Sequence, residues 1–465
     1  MFKIKKKLIF TIFIFLILIF STTLTNAKVI EKKSNDSNNI SCEFTNYWTL
    51  MFYLAFDNHR ESEIDWTIDF LKDVGSGYHR KIVILVDGKT NGDTCYGHIQ
   101  DNMFLPDAWY ESESNMSSAK TFKRFLQTSM YNYPAENYAL FVLSTHGSGW
   151  QGLGVDTYGT GSSASLSLLD MKDYKEVLSE VTNNGTDKID IVALDICVTG
   201  SIEVAYQLSP YVNYMLANEE HGFGGPDEYS DDGYLLGWNY SGFLNQLRIN
   251  PDISAESFSK SIVDTYKAGT YIAKFGELIP APKFYPINQF HTVLSATNLS
   301  KINEISKAVS NLSKALSDNL GQFRKEIKKA RIQTREYGKL YRKFWWLPAR
   351  LSYIMQFEPL SYDCFIDLYD FAEKLIQKTN NKDINNASKQ TMKAINSTIF
   401  ACESEPDDPS HGLFIYFPKL KCQYDKSIWG PLKTNGFKNL PVKYEDLMFS
   451  IDTGWDNFIK DYLLI

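Results

Sequence analysis

Ile189-Asp190-Ile191-Val192-Ala193-Leu194-Asp195-Ile196-Cys197 is a short aliphatic run that ends in Asp-x-Cys. A second run, Ala139-Leu140-Phe141-Val142-Leu143-Ser144-Thr145-His146-Gly147, ends in His-Gly. Apolar stretches of this length are typical of strands that are buried on both faces of a sheet. In a parallel sheet the reactive groups collect at the carboxyl ends of the strands. We therefore expect His146 and Cys197 to lie at the same edge of one sheet.

Runs of the same kind recur along the first part of the chain, with helical patterns between several of them. The predicted strands are Trp48–Phe56, Lys81–Val86, Tyr138–Ser144, Lys188–Leu194 and Asn213–Ala217, and the predicted helices cover about 61–74, 118–131 and 201–209. Short buried strands that alternate with helices favour a mostly parallel sheet with helices on both faces. The predicted fold class is therefore α/β, a three-layer α/β/α sandwich.

The chain beyond about residue 298 has a different pattern. Apolar residues at spacings of three and four, from Ile302 to Leu320, predict an amphipathic helix. Gly412–Pro418 is typical of a buried strand that a proline ends, and Asp456–Leu464 is typical of a closing helix. This part of the chain is therefore expected to be largely helical.

The N-terminus has the composition of an export signal. Lysines at positions 3, 5, 6 and 7 precede the apolar stretch Leu8–Phe20, and Thr25-Asn26-Ala27 is a small-residue cleavage pattern. That stretch is short for a membrane span, and an uncleaved anchor is the alternative. We expect a secreted or extracytoplasmic protein without stable membrane insertion after signal removal. The predicted division is a signal peptide at 1–27, a flexible leader at 28–46, an α/β domain at 47–298 and a largely helical region at 299–465 whose late strand completes the fold.

The net negative charge argues against nucleic acid as a partner. The formal net charge is −7, and removal of residues 1–27 makes it more negative because that segment carries four lysines and no acids. Binding to nucleic acid depends on a basic surface. We therefore expect no nucleic acid partner.

Residue types that could bind a metal ion cluster in one acidic segment of the sequence. Asp227, Glu228, Asp231 and Asp232 precede Gly233, and calcium prefers carboxylate oxygens, although a solvated acidic turn is the alternative. The histidines and cysteines show no zinc spacing, so we assign no metal ligand. We predict that no cofactor is required and leave Ca²⁺ open as an optional ion. If Cys197 is a reactive thiol, five cysteines remain, and their pairing stays open.

The two strand ends together carry the groups needed to attack an amide. A thiol of ordinary pKa supplies little thiolate at neutral pH unless a base lies close. His146 could provide that base and later protonate the leaving amine. The backbone N–H groups of Gly147 and Cys197 could stabilise the oxyanion that forms.

A strand that ends in His-Gly, followed by a strand that ends in Asp-x-Cys, resembles the caspase-like cysteine peptidases. Ala193-Leu194-Asp195-Ile196-Cys197 resembles the clostripain family in particular, and the resemblance covers about residues 47 to 465. It implies a caspase-like catalytic domain at 47–298 with His146 and Cys197 as the catalytic dyad. It also implies that Asp195 lies at the base of the substrate pocket and selects Arg, then Lys, before the scissile bond. The expected partners are protein or peptide substrates.

Asp195 lies two positions before Cys197, and strand alternation predicts that both side chains share one face. A partly desolvated carboxylate would select a cation there and hold a guanidinium with two hydrogen bonds. The alternative is a strand-end residue that bonds to local backbone.

The connection between His146 and Cys197 departs from the family pattern. Relatives are often activated by cleavage after a basic residue in this connection, but residues 147–171 contain no Lys or Arg. Lys172, Lys175 and Lys188 are the only candidates, so the enzyme is expected to act as a single chain.

Two other functions compete with hydrolysis. A caspase-like peptide ligase or transpeptidase would use the same dyad, because water and amines compete for one thioester. A catalytically silent surface binding domain would keep the sheet and discard the dyad, and the intact His146-Gly147 and Cys197 argue against it.

Overall fold

The computed structural model describes most of the chain from residue 46 onward. The described residues are 46–58, 61–77, 79–144, 147, 149–156, 167–220, 237–268, 270–274, 277–280, 289–337, 364–424 and 442–465. The predicted signal peptide and nearly all of the predicted leader therefore lie outside the described residues.

Strands account for the centre of the fold. In chain order they are β1 Asn46–Ala55, β2 Arg80–Asp87, β3 Cys95–Gln100, β4 Met103–Pro106, β5 Ala135–Leu143, β6 Leu153–Asp156, β7 Ser167–Leu169, β8 Ile189–Asp195, β9 Val212–Asn218, β10 Thr270–Lys274, β11 Glu277–Pro280, β12 Gln289–His291, β13 Leu294–Asn298, β14 Glu336–Tyr337, β15 Phe365–Asp367, β16 Ile399–Glu403 and β17 Phe414–Tyr416. All five predicted strands of the first part are present, as β1, β2, β5, β8 and β9.

Nine of these strands form one sheet in the order β16-β13-β9-β8-β5-β1-β2-β3-β4. The five central strands, from β9 to β2, are parallel to one another. Antiparallel strands flank them on both sides. The register places Leu143, the last residue of β5, beside Asp195, the last residue of β8. The strands that carry the two motifs are therefore neighbours and end together.

Helices cover both faces of this sheet. In chain order they are α1 Ile64–Val74, α2 Ala119–Asn132, α3 Met171–Val181, α4 Ile202–Leu208, α5 Tyr240–Ile249, α6 Ala255–Thr265, α7 Ile302–Gln333, α8 Leu368–Lys378, α9 Lys382–Thr398, α10 Met448–Thr453 and α11 Trp455–Leu463. One buried cluster joins the sheet to α2, α3, α4 and the helices from α7 onward, and the other joins it to α1, α5 and α6. The predicted three-layer α/β/α sandwich is confirmed.

Several helices begin where the sequence supplies a capping side chain. The Asp170 carboxylate accepts hydrogen bonds from the N–H groups of Lys172 and Asp173, both at 2.8 Å, at the start of α3. The Ser201 hydroxyl accepts one from Val204 N–H at 3.1 Å and starts α4. These side chains satisfy N–H groups that have no partner inside the helix.

The C-terminal part contributes to the central sheet and to a smaller one. β16 pairs with β13 at one edge of the central sheet. The strand predicted over 412–418 forms as β17, which pairs with β15 in a three-stranded sheet. The predicted amphipathic helix continues to the end of α7, and the predicted closing helix is α11. Among the described helices, none is both long and apolar enough to cross a membrane.

Candidate active site

Gly147 and Cys197 meet at the carboxyl edge of the sheet. A methyl group on Gly147 would lie 1.8 Å from the Cys197 carbonyl oxygen. Only a residue without a side chain fits so close to another backbone. The structure therefore brings together the two residues whose N–H groups were predicted to stabilise an oxyanion. His146, which immediately precedes Gly147, lies outside the described residues.

Cys197 is half-buried and lies in a bend directly after β8. The next residue, Val198, has φ +51°, a left-handed conformation that is strained for a β-branched side chain. Two hydrogen bonds hold it in place. Val198 N–H donates to the Glu220 carbonyl at 2.9 Å, and Gly149 N–H donates to the Val198 carbonyl at 3.0 Å. The bend that presents Cys197 is therefore fixed from two sides.

The end of β9, just before a turn at 219–220, holds the residues that follow Val198. Thr199 N–H and Gly200 N–H both donate to the Asn218 carbonyl, at 2.9 and 2.8 Å. The Gly200 carbonyl then accepts a hydrogen bond from Phe414 N–H at 2.9 Å, at the start of β17. The Cys197 segment is thus bonded to the neighbouring strand β9 and to the C-terminal part of the chain.

Glu219, in the same turn, is a buried acid. Burial raises the pKa of its carboxyl well above the usual value, and the nearby charge of Asp367 raises it further. Its carboxyl accepts a hydrogen bond from Gly412 N–H at 2.7 Å. Next to it, the Glu220 carboxylate lies 3.8 Å from the Arg335 guanidinium. These contacts attach the turn to the end of α7 and to the segment before β17.

Asp195 ends β8 and is 1 % exposed. The Tyr240 hydroxyl, at the start of α5, donates a hydrogen bond of 2.6 Å to Asp195 Oδ2. Tyr240 belongs to the core cluster on the α5 and α6 face, whereas Cys197 packs against the cluster on the opposite face. The prediction that Asp195 and Cys197 share one face is therefore wrong. Strand alternation holds through Ile196, which packs in the same cluster as Leu194, and fails at Cys197, because the backbone bends after β8.

Glu203, on the helix α4 that follows the Cys197 segment, is 2 % exposed. Its Oε1 accepts hydrogen bonds from Tyr416 N–H and from the Tyr444 hydroxyl, both at 2.9 Å. Burial raises the pKa of this carboxyl to about 7, and the hydrogen bonds oppose part of the rise. The group therefore takes up a proton on folding at slightly acidic pH.

Replacing Glu203 with Gln should make the protein more stable at alkaline pH. In the unfolded chain the carboxyl ionises near pH 4.5, whereas in the fold it stays neutral until about pH 7. Its ionisation therefore costs the native protein up to about 3 kcal/mol as the pH rises through this window, and the cost stays constant above it. Gln keeps the acceptor for Tyr416 and Tyr444.

Denaturant unfolding of both proteins at about pH 5 and about pH 8 measures this cost. The stability difference in favour of Glu203→Gln should grow between the two pH values by up to about 3 kcal/mol. A difference that is the same at both pH values would show that Glu203 ionises normally in the fold.

One group of carboxylates in the described part of the chain brings its oxygens within 4.8 Å of one another: Asp87, Asp93 and Glu113. Their oxygens accept hydrogen bonds from nearby groups. Asp93 accepts from Gly88 and Thr90 N–H, Asp87 from the Thr94 hydroxyl and Glu113 from Gly92 N–H. The cluster thus orders the loop after β2. The acidic cluster predicted for calcium, 227–233, lies outside the described residues.

The three basic residues between His146 and Cys197 lie in ordered positions. Lys172 and Lys175 are in the first half of α3. Lys188 directly precedes β8, and its ammonium donates to the Ser209 carbonyl at 2.8 Å. Proteases cut exposed and extended segments, so cleavage after any of these residues would require local unfolding.

Sequence reasoning missed Tyr240, Glu203 and the strained bend at Val198. Tyr240 and Glu203 reach the site through tertiary packing, and no spacing in the sequence connects them to Cys197. The bend has no local signal either, because a β-branched residue argues against a positive φ. Glu219 and Glu220 do carry a signal, since consecutive acids directly after a buried strand must find partners.

The chain is similar to known proteins over most of its length. The model of the clostripain family matches residues 53–462. Clostripain from Hathewaya histolytica is 22% identical, and the match covers 86% of this chain and 79% of that protein.

Solved structures with the same fold include a secreted C11 cysteine protease from Bacteroides thetaiotaomicron in complex with an irreversible peptide inhibitor. It is 16% identical with a TM-score of 0.56, and the match covers 88% of this chain and 100% of that one. An inactive zymogen C11 protease from Parabacteroides distasonis is 14% identical with a TM-score of 0.53, covering 89% of this chain and 99% of that one. The family model spans most of the chain, and the chain therefore belongs to the clostripain family of cysteine peptidases.

Proposed function

We propose that this cysteine peptidase is secreted and cleaves peptide bonds after Arg, and less readily after Lys, with Cys197 and His146 as its catalytic dyad. The observation that carries the proposal is the contact between Gly147 and the Cys197 carbonyl at the carboxyl edge of the sheet. It supports a site in which the His-Gly and Asp-x-Cys motifs act on one substrate.

The chemistry follows from these groups. His146 takes the proton of the Cys197 thiol, and the thiolate attacks the carbonyl carbon of the scissile bond. The negative charge that develops on the carbonyl oxygen is stabilised by the N–H groups of Gly147 and Cys197. His146 then protonates the leaving amine, the C–N bond breaks and a thioester remains. Water deprotonated by His146 hydrolyses the thioester and releases the thiol. No step requires a cofactor, and Ca²⁺ remains an optional ion.

Asp195 supplies the preference for basic residues in this proposal. Asp195 is the last residue of β8, two residues before Cys197, and this position at the sheet edge supports a role for its carboxylate in binding the substrate side chain. A buried carboxylate is costly unless a cation or several hydrogen bonds stabilise it. An Arg or Lys side chain adds that cation beside Asp195, whereas a neutral side chain does not.

Replacing Asp195 with Asn should remove the preference for basic residues. We expect the wild-type kcat/KM for Arg to exceed that for Gln by about 10² or more, with Lys in between. In Asp195→Asn this ratio should fall below about ten, because the amide carries no charge. Peptides that differ only in Arg, Lys, Gln or Asp before the cut measure both ratios.

Two results would contradict the proposal. One is a wild-type enzyme that cuts best after Gln or Asp, and the other is an Asp195→Asn variant that keeps the full preference for Arg. Mass analysis of the products with an added amine separates hydrolysis from peptide transfer, because transfer would join the amine to the acyl fragment.

A further inference from the structure

The hydrogen bond from Tyr240 to Asp195 connects two parts of the chain that are distant in sequence. The phenol oxygen lies 2.6 Å from Asp195 Oδ2, and both residues are buried. A hydrogen bond to a carboxylate is among the stronger ones in proteins, particularly where water is excluded. Tyr240 is therefore well placed to control how Asp195 presents its charge.

The backbone around Tyr240 holds the hydroxyl in a defined position. Tyr240 is the first residue of α5, and the preceding Asn239 caps that helix by accepting a hydrogen bond from Gly242 N–H at 2.8 Å. Before the cap, Gly237 and Lys267 exchange backbone hydrogen bonds of 2.8 and 3.2 Å. The start of α5 is thus fixed on both sides.

Packing of the aromatic ring restricts Tyr240 further. The ring centroid lies 5.2 Å from that of Phe243 and 6.3 Å from that of Phe52. Phe52 in turn stacks on Phe141 at 4.7 Å. Since buried aromatic rings in contact have little rotational freedom, the hydroxyl cannot follow Asp195 to a different position.

We propose that Tyr240 is a positioning residue for substrate selection, whose hydroxyl holds the Asp195 carboxylate in one orientation for the cationic side chain of the substrate. The inference rests on the proposed role of Asp195 as the residue that selects Arg and Lys. It adds a second residue, 45 positions further along the chain, to that selection.

The orientation of the carboxylate matters more for Arg than for Lys. A guanidinium forms two parallel hydrogen bonds and requires the carboxylate plane to be aligned with its own. An ammonium is a compact charge that binds a carboxylate from many directions. The hydrogen bond from Tyr240 restrains the orientation of the carboxylate, so its loss should weaken binding of Arg more than binding of Lys.

Tyr240→Phe tests this inference, because Phe keeps the ring and removes only the hydroxyl. We expect kcat/KM to fall about ten- to a hundredfold for the Arg peptide, by less for the Lys peptide, and by less than about twofold for the Gln peptide. The rate at which iodoacetamide, a neutral reagent, alkylates Cys197 should stay within about twofold, because the thiol site is untouched.

Tyr53→Phe is the matched control. The buried Tyr53 hydroxyl donates a hydrogen bond of the same length, 2.6 Å, to the Met116 carbonyl. Its removal deletes a buried hydrogen bond of the same length without touching Asp195. We expect this variant to keep the wild-type ratios of kcat/KM among the Arg, Lys and Gln peptides.

Tyr240→Phe, Asp195→Asn and the variant that carries both substitutions form a double-mutant cycle. In the Asp195→Asn background, Tyr240→Phe should leave the Arg-to-Gln ratio unchanged, because no charge remains to be oriented. If Asp195→Asn keeps the full preference for Arg, the proposed role of Asp195 is wrong. If that variant loses the preference while Tyr240→Phe keeps the wild-type ratios, the inference about Tyr240 alone is wrong. A uniform fall for all peptides, together with slower alkylation, would show that Tyr240 serves only the structure of the site.

Discussion

Cys197→Ala should reduce peptide cleavage by about 10⁴-fold or more, because no other group of the proposed site can form the thioester. The side chain is half-buried, and Ala fits in the same space without a clash, so the variant should fold like the wild type. Release of a fluorescent group from an Arg peptide measures the activity, and the thermal midpoint Tm measures the fold.

Two further variants test whether the loss of activity is specific to Cys197 and its proposed partner His146. Cys422→Ala removes another half-buried thiol and should leave the activity within about twofold, because Cys422, in a short helix at 421–423, has no role in the proposed mechanism. His146→Ala should lose turnover to a similar extent and should also slow alkylation of Cys197, since the thiolate loses its base. Near wild-type cleavage by Cys197→Ala would refute the proposed mechanism.

The sequence predicted the central sheet well because the signal there is strong. Strands that are buried on both faces need continuous apolar runs, and β1, β2, β5, β8 and β9 have them. The edge hairpin of β3 and β4 was not predicted. Its strands are short and partly exposed, with burial that differs from residue to residue, and they contain Gly97 and Pro106, which weaken a strand pattern.

The candidate site was predictable only in part, because some of its geometry depends on contacts between residues that are distant in sequence. The ends of β5 and β8 could be placed together, because parallel strands end at one edge and both motifs follow apolar runs directly. The side on which Cys197 lies could not be predicted. It depends on the bend after Asp195, and that bend persists because the backbone groups of Val198 are bonded to Glu220 and Gly149. Such bonds to distant residues have no counterpart in the local sequence.

Gly147→Ala should reduce activity by about 10³-fold or more, although it adds only one methyl group. That group would lie 1.8 Å from the Cys197 carbonyl oxygen and 3.0 Å from a methyl carbon of Ile196, so one of the two backbone segments must move. Movement displaces the N–H groups proposed to hold the oxyanion, and loss of one such donor alone costs about 10² to 10³ in rate. It also displaces Cys197 relative to the substrate.

Gly321→Ala is the matched control, because Gly321 lies inside α7 and a methyl group there would meet nothing within 4 Å. This variant should keep wild-type activity and gain up to about 1 kcal/mol of stability, since Ala is the better helix former. The two variants should therefore differ in both kcat/KM and Tm, with Gly147→Ala lower in each. If Gly147→Ala cleaved the Arg peptide at more than about a tenth of the wild-type rate, the close approach of Gly147 to Cys197 would not be needed for catalysis. The oxyanion site would then have to be built from other N–H groups.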